Sequence, residues 1–156
     1  MYYKGFPLNE FSLISHKDVT NEQAFFYKKE TVGIKKSNVF ERIVNEKIDL
    51  VVYQDVLWND EQLLEYHSHN YNGLPFYTEN KVGENVYKIT IVTSDLKISG
   101  INIIQYDSFY RPVIEQFFDE NHLLLEYRKL FYMESGRLPI KEKIFFSSWH
   151  ISEEKK

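Results

Sequence analysis

Few residues in this chain have the types and spacing that chemistry would need. His67 and His69 stand two apart, which puts them on one face only if the segment is extended. A zinc site would need further ligands, and Glu65 is a conjectural third; the plainer alternative is two loop histidines met by solvent or backbone. For acid–base work, His122 or His150 could be drawn together with Glu115, Glu126 or Glu142. With 23 acidic residues such pairings arise freely, and nothing in the spacing selects one. Glu142 is the least ordinary, because it falls on the apolar-facing side of its expected strand; a paired charge at the sheet margin is the simpler reading. Gly-rich phosphate loops, serine elbows and zinc-binding helix motifs are absent. So is cysteine, which removes thiolate metal sites, disulfides and cysteine nucleophiles. The sequence therefore predicts no catalytic residue, no metal and no cofactor.

Binding is better represented. Residues 41–65 carry seven acidic and two basic side chains, a local balance of −5 against −4 for the whole chain. Such a stretch repels phosphates and suits a basic protein partner rather than nucleic acid. Tyr53 and Trp58 lie among these charges, and aromatic anchors ringed by charge are a frequent composition of protein-binding patches. The expected contact set is Asp55, Trp58, Asp60, Glu61 and Glu65. The alternative is a solvated helical face with Trp58 in the core. A second charged group, Arg128-Lys129, Arg137, Lys141 and Lys143, interleaves with Tyr127, Phe131 and Tyr132 as single-strand binders do. Edge protection by Lys and Arg accounts for it better, so no nucleic acid is expected.

The elements that must position these residues are mostly strands. From Asn85 to Trp149 the chain reads as a meander. Val86–Thr93 and Ile98–Tyr106 alternate apolar and polar, and Thr93–Lys97 is rich in turn formers. Pro112 cannot donate to a ladder, so its strand should lie at an edge or begin near the proline. Asp119–Leu125 matches Glu134–Ile140 at a spacing of fifteen and sets Asn121 against Gly136, two residue types that accept positive φ in hairpin turns. A helix over Pro112–Glu134 is the rival, but it strands Leu123, Tyr127 and Leu130 opposite its apolar face.

In the first half, Asn38 with Glu41 forms a capping-box-like pattern and predicts a helix over Val39–Lys47. Ile48–Tyr53 is a nearly continuous apolar run, expected to be a strand covered on both faces. Asn59 with Gln62 repeats the cap before a short helix, Asp60–His67. Ser68–Pro75 and Glu79–Asn85 read as loops, and residues 1–36 are open to several readings. Asn21–Ala24 could start a helix, and Phe25–Ile34 could be a strand closed by Gly33. Glu153–Lys156 reads as a frayed tail.

At 156 residues this amounts to one α+β domain, 1–156, with a core that needs no metal. Its antiparallel meander fills the C-terminal half, and a few short helices from the N-terminal half pack against it. Twelve Tyr and twelve Phe favour sheet. No apolar run approaches a membrane span, and the first residues lack the apolar centre of a signal peptide, so no membrane association and a cytoplasmic location are expected.

The stretch Phe118-Asp119-Glu120-Asn121-His122-Leu123-Leu124-Leu125-Glu126-Tyr127-Arg128-Lys129, with its echo Tyr132-Met133-Glu134-Ser135-Gly136-Arg137-Leu138, resembles the hairpin repeats of bacterial polymorphic-toxin systems. These repeats occur in the toxins and in some small immunity proteins encoded beside them. Size, acidic balance, missing cysteines and missing catalytic motifs are likewise similar to contact-dependent growth inhibition immunity proteins. His122 stands where the repeats usually carry Gly, and no functional residue is carried over. The resemblance implies a cytosolic, non-enzymatic protein that binds one cognate toxin, plausibly a nuclease with a basic site, and blocks it. The alternative is a small enzyme or ligand-binding protein with an aromatic-lined pocket on the sheet.

Overall fold

A computed structural model describes residues 1–6, 8–9, 12–29, 38–56, 58–134, 136, 138–146 and 152–155. Among them are twelve strands and one α-helix, so the protein is richer in sheet than the expected α+β arrangement with several helices. The chain divides into two compact units, Met1–Asn80 with Ile91–Lys97, and Lys81–Thr90 with Ile98–Lys156.

The first unit is ordered around β5 (Lys47–Gln54). Its sheet runs from the start of β6 (Phe76–Gly83) through β5, β4 (Asn38–Val44), β3 (Ala24–Lys29) and β1 (Tyr2–Tyr3) to β2 (Leu13–Ile14). Leu50, Val51, Val52 and Tyr53 are at most 1% exposed, as expected of an apolar run with both faces covered. Alternate residues enter different cores. Val51 and Tyr53 pack with Val39, Leu63, Tyr71, Phe76 and Val92, under α1 (Asp60–Asn70). Leu50 and Val52 pack with Phe40, Phe26, Tyr3 and Leu8, under the N-terminal segment. Each such side chain contributes about 1.5–3 kcal/mol by leaving water, so β5 anchors both layers. All described pairings are antiparallel except β5 with β6, where α1 supplies the crossover that parallel strands require.

Two local expectations fail here, and one open alternative is decided. The segment predicted as helix Val39–Lys47 is a strand and a turn. Asn38 faces Gln54 in the ladder, and Asn45 and Glu46, at φ +50° and +65°, close a two-residue loop between Val44 and Lys47. Positive φ at both central residues is the type I′ arrangement whose twist suits a hairpin. β-Branched Val39, Ile43 and Val44 favour the ladder, and the long-range pairing outweighs a local cap pattern. Glu46 pays a conformational penalty that glycine would not. Glu46→Gly is expected to raise stability by about 1 kcal/mol, read by urea denaturation; an unchanged or lower midpoint contradicts the turn assignment. Second, the 79–85 loop is largely strand, because β6 extends to Gly83. Of the two readings open for residues 21–34, the strand is the one seen: residues 18–21 form a 3-10 turn and Ala24–Lys29 a strand, and the end expected to reach Ile34 lies outside the described residues.

The second unit follows the meander. β8 (Ile98–Tyr106), β9 (Pro112–Phe118), β10 (Leu124–Phe131), β11 (Lys141–Phe146) and β12 (Ser152–Lys155) pair in sequence order, all antiparallel. β7 (Val86–Val92) carries residues of both units. The helical reading of 112–134 is excluded, and β9 begins at Pro112, where its missing N–H does least harm. The tail expected to fray is β12. One turn recurs. Thr93, Asp107 and Asp119 each accept from the N–H three residues on, and each donates to the carbonyl four residues on. Leu96, Tyr110 and His122 then carry φ near +60°. The positive φ expected at Asn121 is therefore at His122. Gly136, whose N–H donates to Met133, matches His122 rather than Asn121 and lies outside the positive-φ region.

Candidate functional site

Helix α1 starts as its sequence demands. Asn59 Oδ1 accepts from the Gln62 N–H at 2.8 Å and Gln62 Oε1 accepts from the Asn59 N–H at 3.1 Å, a complete capping box. Asp60 and Glu61 fill the first turn, where the helix dipole favours negative charge. The helix continues past the predicted end at His67 to Asn70, so residues 68–70 are not loop.

This extension sets the fate of the histidines. Two residues apart on a helix, His67 and His69 diverge. His67 is 1% exposed; its Nε2 meets the Leu74 carbonyl and its Nδ1 the Tyr53 hydroxyl, both at 2.8 Å. A carbonyl can only accept, so Nε2 carries the proton and Tyr53 donates to Nδ1. Burial lowers the His67 pKa, against the hydrogen bond to Leu74, so the ring stays neutral. It is a core histidine. Among the described residues no group of three His, Asp or Glu could hold a metal ion.

His69 faces a shallow, open hollow of about 330 Å³, lined also by Trp58, Gln62, Glu65, Tyr66 and Asn70. The Trp58 and Tyr66 rings meet at 4.8 Å between centroids and 47° between planes. Trp58 is half-buried and packs against the core cluster beneath α1, so it is partly core and partly surface. Burial, then the charge of Glu41, raises the Tyr66 pKa.

Of the expected contact residues, Trp58 and Glu65 come together at this hollow. Asp60 and Glu61 are exposed in the first turn of the same helix. Asp55 follows β5 at φ +46° and does not line the hollow; its N–H donates to the Glu79 carbonyl at 2.8 Å. Gln62 and Tyr66 lay within the expected helix but were not set beside Glu65, and ending that helix at His67 left His69 and Asn70 off it; carried to Asn70, the spacing places all four on one face.

The other candidates resolve into structure. Glu115, Glu126 and Glu142 surround Arg128 at 3.7, 3.1 and 2.9 Å. The Glu142 contact is an ion pair without hydrogen-bond alignment, since Arg128 Nε finds no acceptor in line. Burial raises the Glu115 pKa, Arg128 opposes it, and the neighbouring Glu142 and Glu126 charges add to it. The expected basic outer face is split: Arg128 stands opposite Glu115 and Ile144, Lys129 stands opposite Lys143, and Arg137 lies outside the described residues. His122 sits exposed in a turn, and His150 lies outside the described residues.

Glu79 was not anticipated. It is 1% exposed in β6 beside Gln54, and its Oε2 has no hydrogen-bond partner. Burial pushes its pKa up to about 7, with Gln54 opposing and the Asp55 charge adding. It lines neither described hollow; the second, about 480 Å³, lies against Met1, Tyr2, Leu13, Ile14, Ser15 and His16.

No protein-family model, curated protein or solved structure matches this chain.

Proposed function

We propose that the chain is a non-enzymatic immunity protein that binds a basic toxin domain, plausibly a nuclease, and covers its active site. The observation that carries this is the outer face of α1. Asp60, Glu61 and Glu65 are exposed and take no ion-pair partner among the described residues, and half-buried Trp58 stands beside them. The net charge of −4 falls wholly in the first unit, with thirteen acidic and nine basic residues; the second carries ten of each. Negative potential concentrated there speeds encounter with a basic partner and disfavours acidic ones. An enzyme would want a deep pocket with converging charged groups, whereas both described hollows are shallow. No described helix is long and apolar enough to cross a membrane. A cytoplasmic site of action is part of the proposal.

The test pairs the protein with the toxic domain it protects against. Asp60→Lys, Glu61→Lys, Glu65→Lys is expected to slow association at least about tenfold and to abolish protection in cells. Lysine in a first turn opposes the dipole by about 0.3–1 kcal/mol per residue, so thermal melts must first show the variant folded. The neutral Asp60→Asn, Glu61→Gln, Glu65→Gln variant should fall between. Full affinity and full protection in the folded triple-lysine variant would show the acidic face to be merely solvated.

A further inference from the structure

Two arginines of the second unit each lie over an aromatic ring and pair with a carboxylate. Arg111 lies 4.7 Å over Tyr132 and pairs with Asp107. Arg128 lies 5.4 Å over Phe117 and pairs with Glu115. At the hollow on α1 the same two parts recur: the rings of Trp58 and Tyr66, and the carboxylate of Glu65. Among the described residues no lysine or arginine lines it, and His69 is its one other ionisable side chain besides Tyr66.

We propose that this hollow receives a cationic side chain of the bound partner, best an arginine. This rests on reading α1 as the face turned toward a basic toxin, and it names what that toxin inserts. A guanidinium is flat and weakly hydrated, so it can stack on an aromatic face while its N–H groups reach a carboxylate. Glu65 supplies that carboxylate; Asn70, whose Nδ2 donates to the Tyr66 carbonyl, lines the same hollow, and so does Gln62, whose Oε1 already accepts from the Asn59 N–H. The opening is shallow, which suits the tip of a side chain presented by a folded surface and not an enclosed small molecule.

The experiment titrates the full chain at pH 7.5 and low salt with a short blocked arginine peptide, and with the same peptide carrying citrulline in place of arginine. Binding is read from the Trp58 indole N–H resonance, assigned with Trp58→Phe because the chain has two tryptophans. The arginine peptide is expected to move that signal and the Tyr66 ring signals, and to bind about tenfold more tightly than the citrulline peptide. Glu65→Gln, an exposed change that leaves the fold intact, should remove most of the difference. Equal binding of the two peptides, or shifts confined to residues away from α1, would overturn the proposal. No toxin is needed here, so the two readings fail separately. Arginine-selective binding without protection in cells sinks the toxin reading alone. Protection undiminished by Glu65→Gln, with no arginine selectivity, sinks the hollow alone.

Discussion

Replacing Arg111 with alanine is expected to cost about 3–5 kcal/mol of stability. Arg111 is 8% exposed and ties two turns together. Its Nε donates to Asp107 Oδ2 at 2.8 Å, and its Nη1 donates to the Met133 and Gly136 carbonyls, each at 2.7 Å. Asp107 in turn accepts from the Phe109 and Arg111 N–H groups, at 2.9 and 3.0 Å. Alanine would leave Asp107 Oδ2 and two carbonyls without their donor and would remove the guanidinium from the Phe109 and Tyr132 rings. Lysine keeps the charge but not the fork, so Arg111→Lys should recover only part of the loss. Burial alone would raise the Asp107 pKa, but the hydrogen bonds from Arg111 and Phe109 and the Arg111 charge outweigh it and lower the value. This contribution is therefore present above the usual aspartate pKa and fades as pH falls through the depressed one. Urea denaturation at pH 7, with amide exchange followed across residues 107–146, measures the effect. A loss below about 1 kcal/mol would mean that water replaces the guanidinium readily.

Glu79→Gln is expected to act in the opposite direction. A buried carboxyl whose pKa stands near 7 in the folded chain prefers its proton there, whereas the unfolded chain releases it near 4.5. The folded wild type is therefore favoured below about pH 4.5, loses stability as pH rises toward 7, and carries a constant penalty above it. At about 1.4 kcal/mol per pKa unit, the penalty at pH 8 is about 3 kcal/mol. The neutral amide carries no such penalty, so Glu79→Gln should be more stable than wild type at pH 8, with the advantage gone by about pH 4.5. Chemical denaturation at several pH values reads this as a difference in slope. Parallel stability profiles for the two proteins would show that Glu79 reaches solvent or gains a cation when it ionises.

Much of the second unit was legible in the residues themselves. Alternation over 86–93 and 98–106, Pro112 at a strand start, and turn formers between them describe β7, β8 and β9 closely, because side chains on a half-exposed sheet must alternate whatever else the fold does. The apolar run in β5 and the Asn59–Gln62 cap of α1 are equally local. The association of Trp58 with a carboxylate at the candidate site was legible as well, since both lie close together in the chain.

What local sequence could not decide depends on partners far along the chain. Asn38 and Glu41 present a cap to any short-range reading; only β5, pairing from Asn38 to Val44, makes the segment a strand. The polar stretch around Glu79 has no strand signature of its own. Parallel pairing of Phe76–Glu79 with Val51–Gln54, after α1 crosses over, pulls that carboxyl into the interior and raises its pKa. Register likewise divides Arg128 from Lys129, since adjacent residues on a strand face opposite ways, and so breaks an apparent basic patch into an ion cluster and a lysine pair. The hollow on α1 arises in the same way. Its walls come from residues one helical turn apart, and its floor from a tryptophan held in place by the core beneath. Composition determined that the face would be acidic and aromatic; packing decided which carboxylate meets the rings, and that no cation of the described chain fills the space between them.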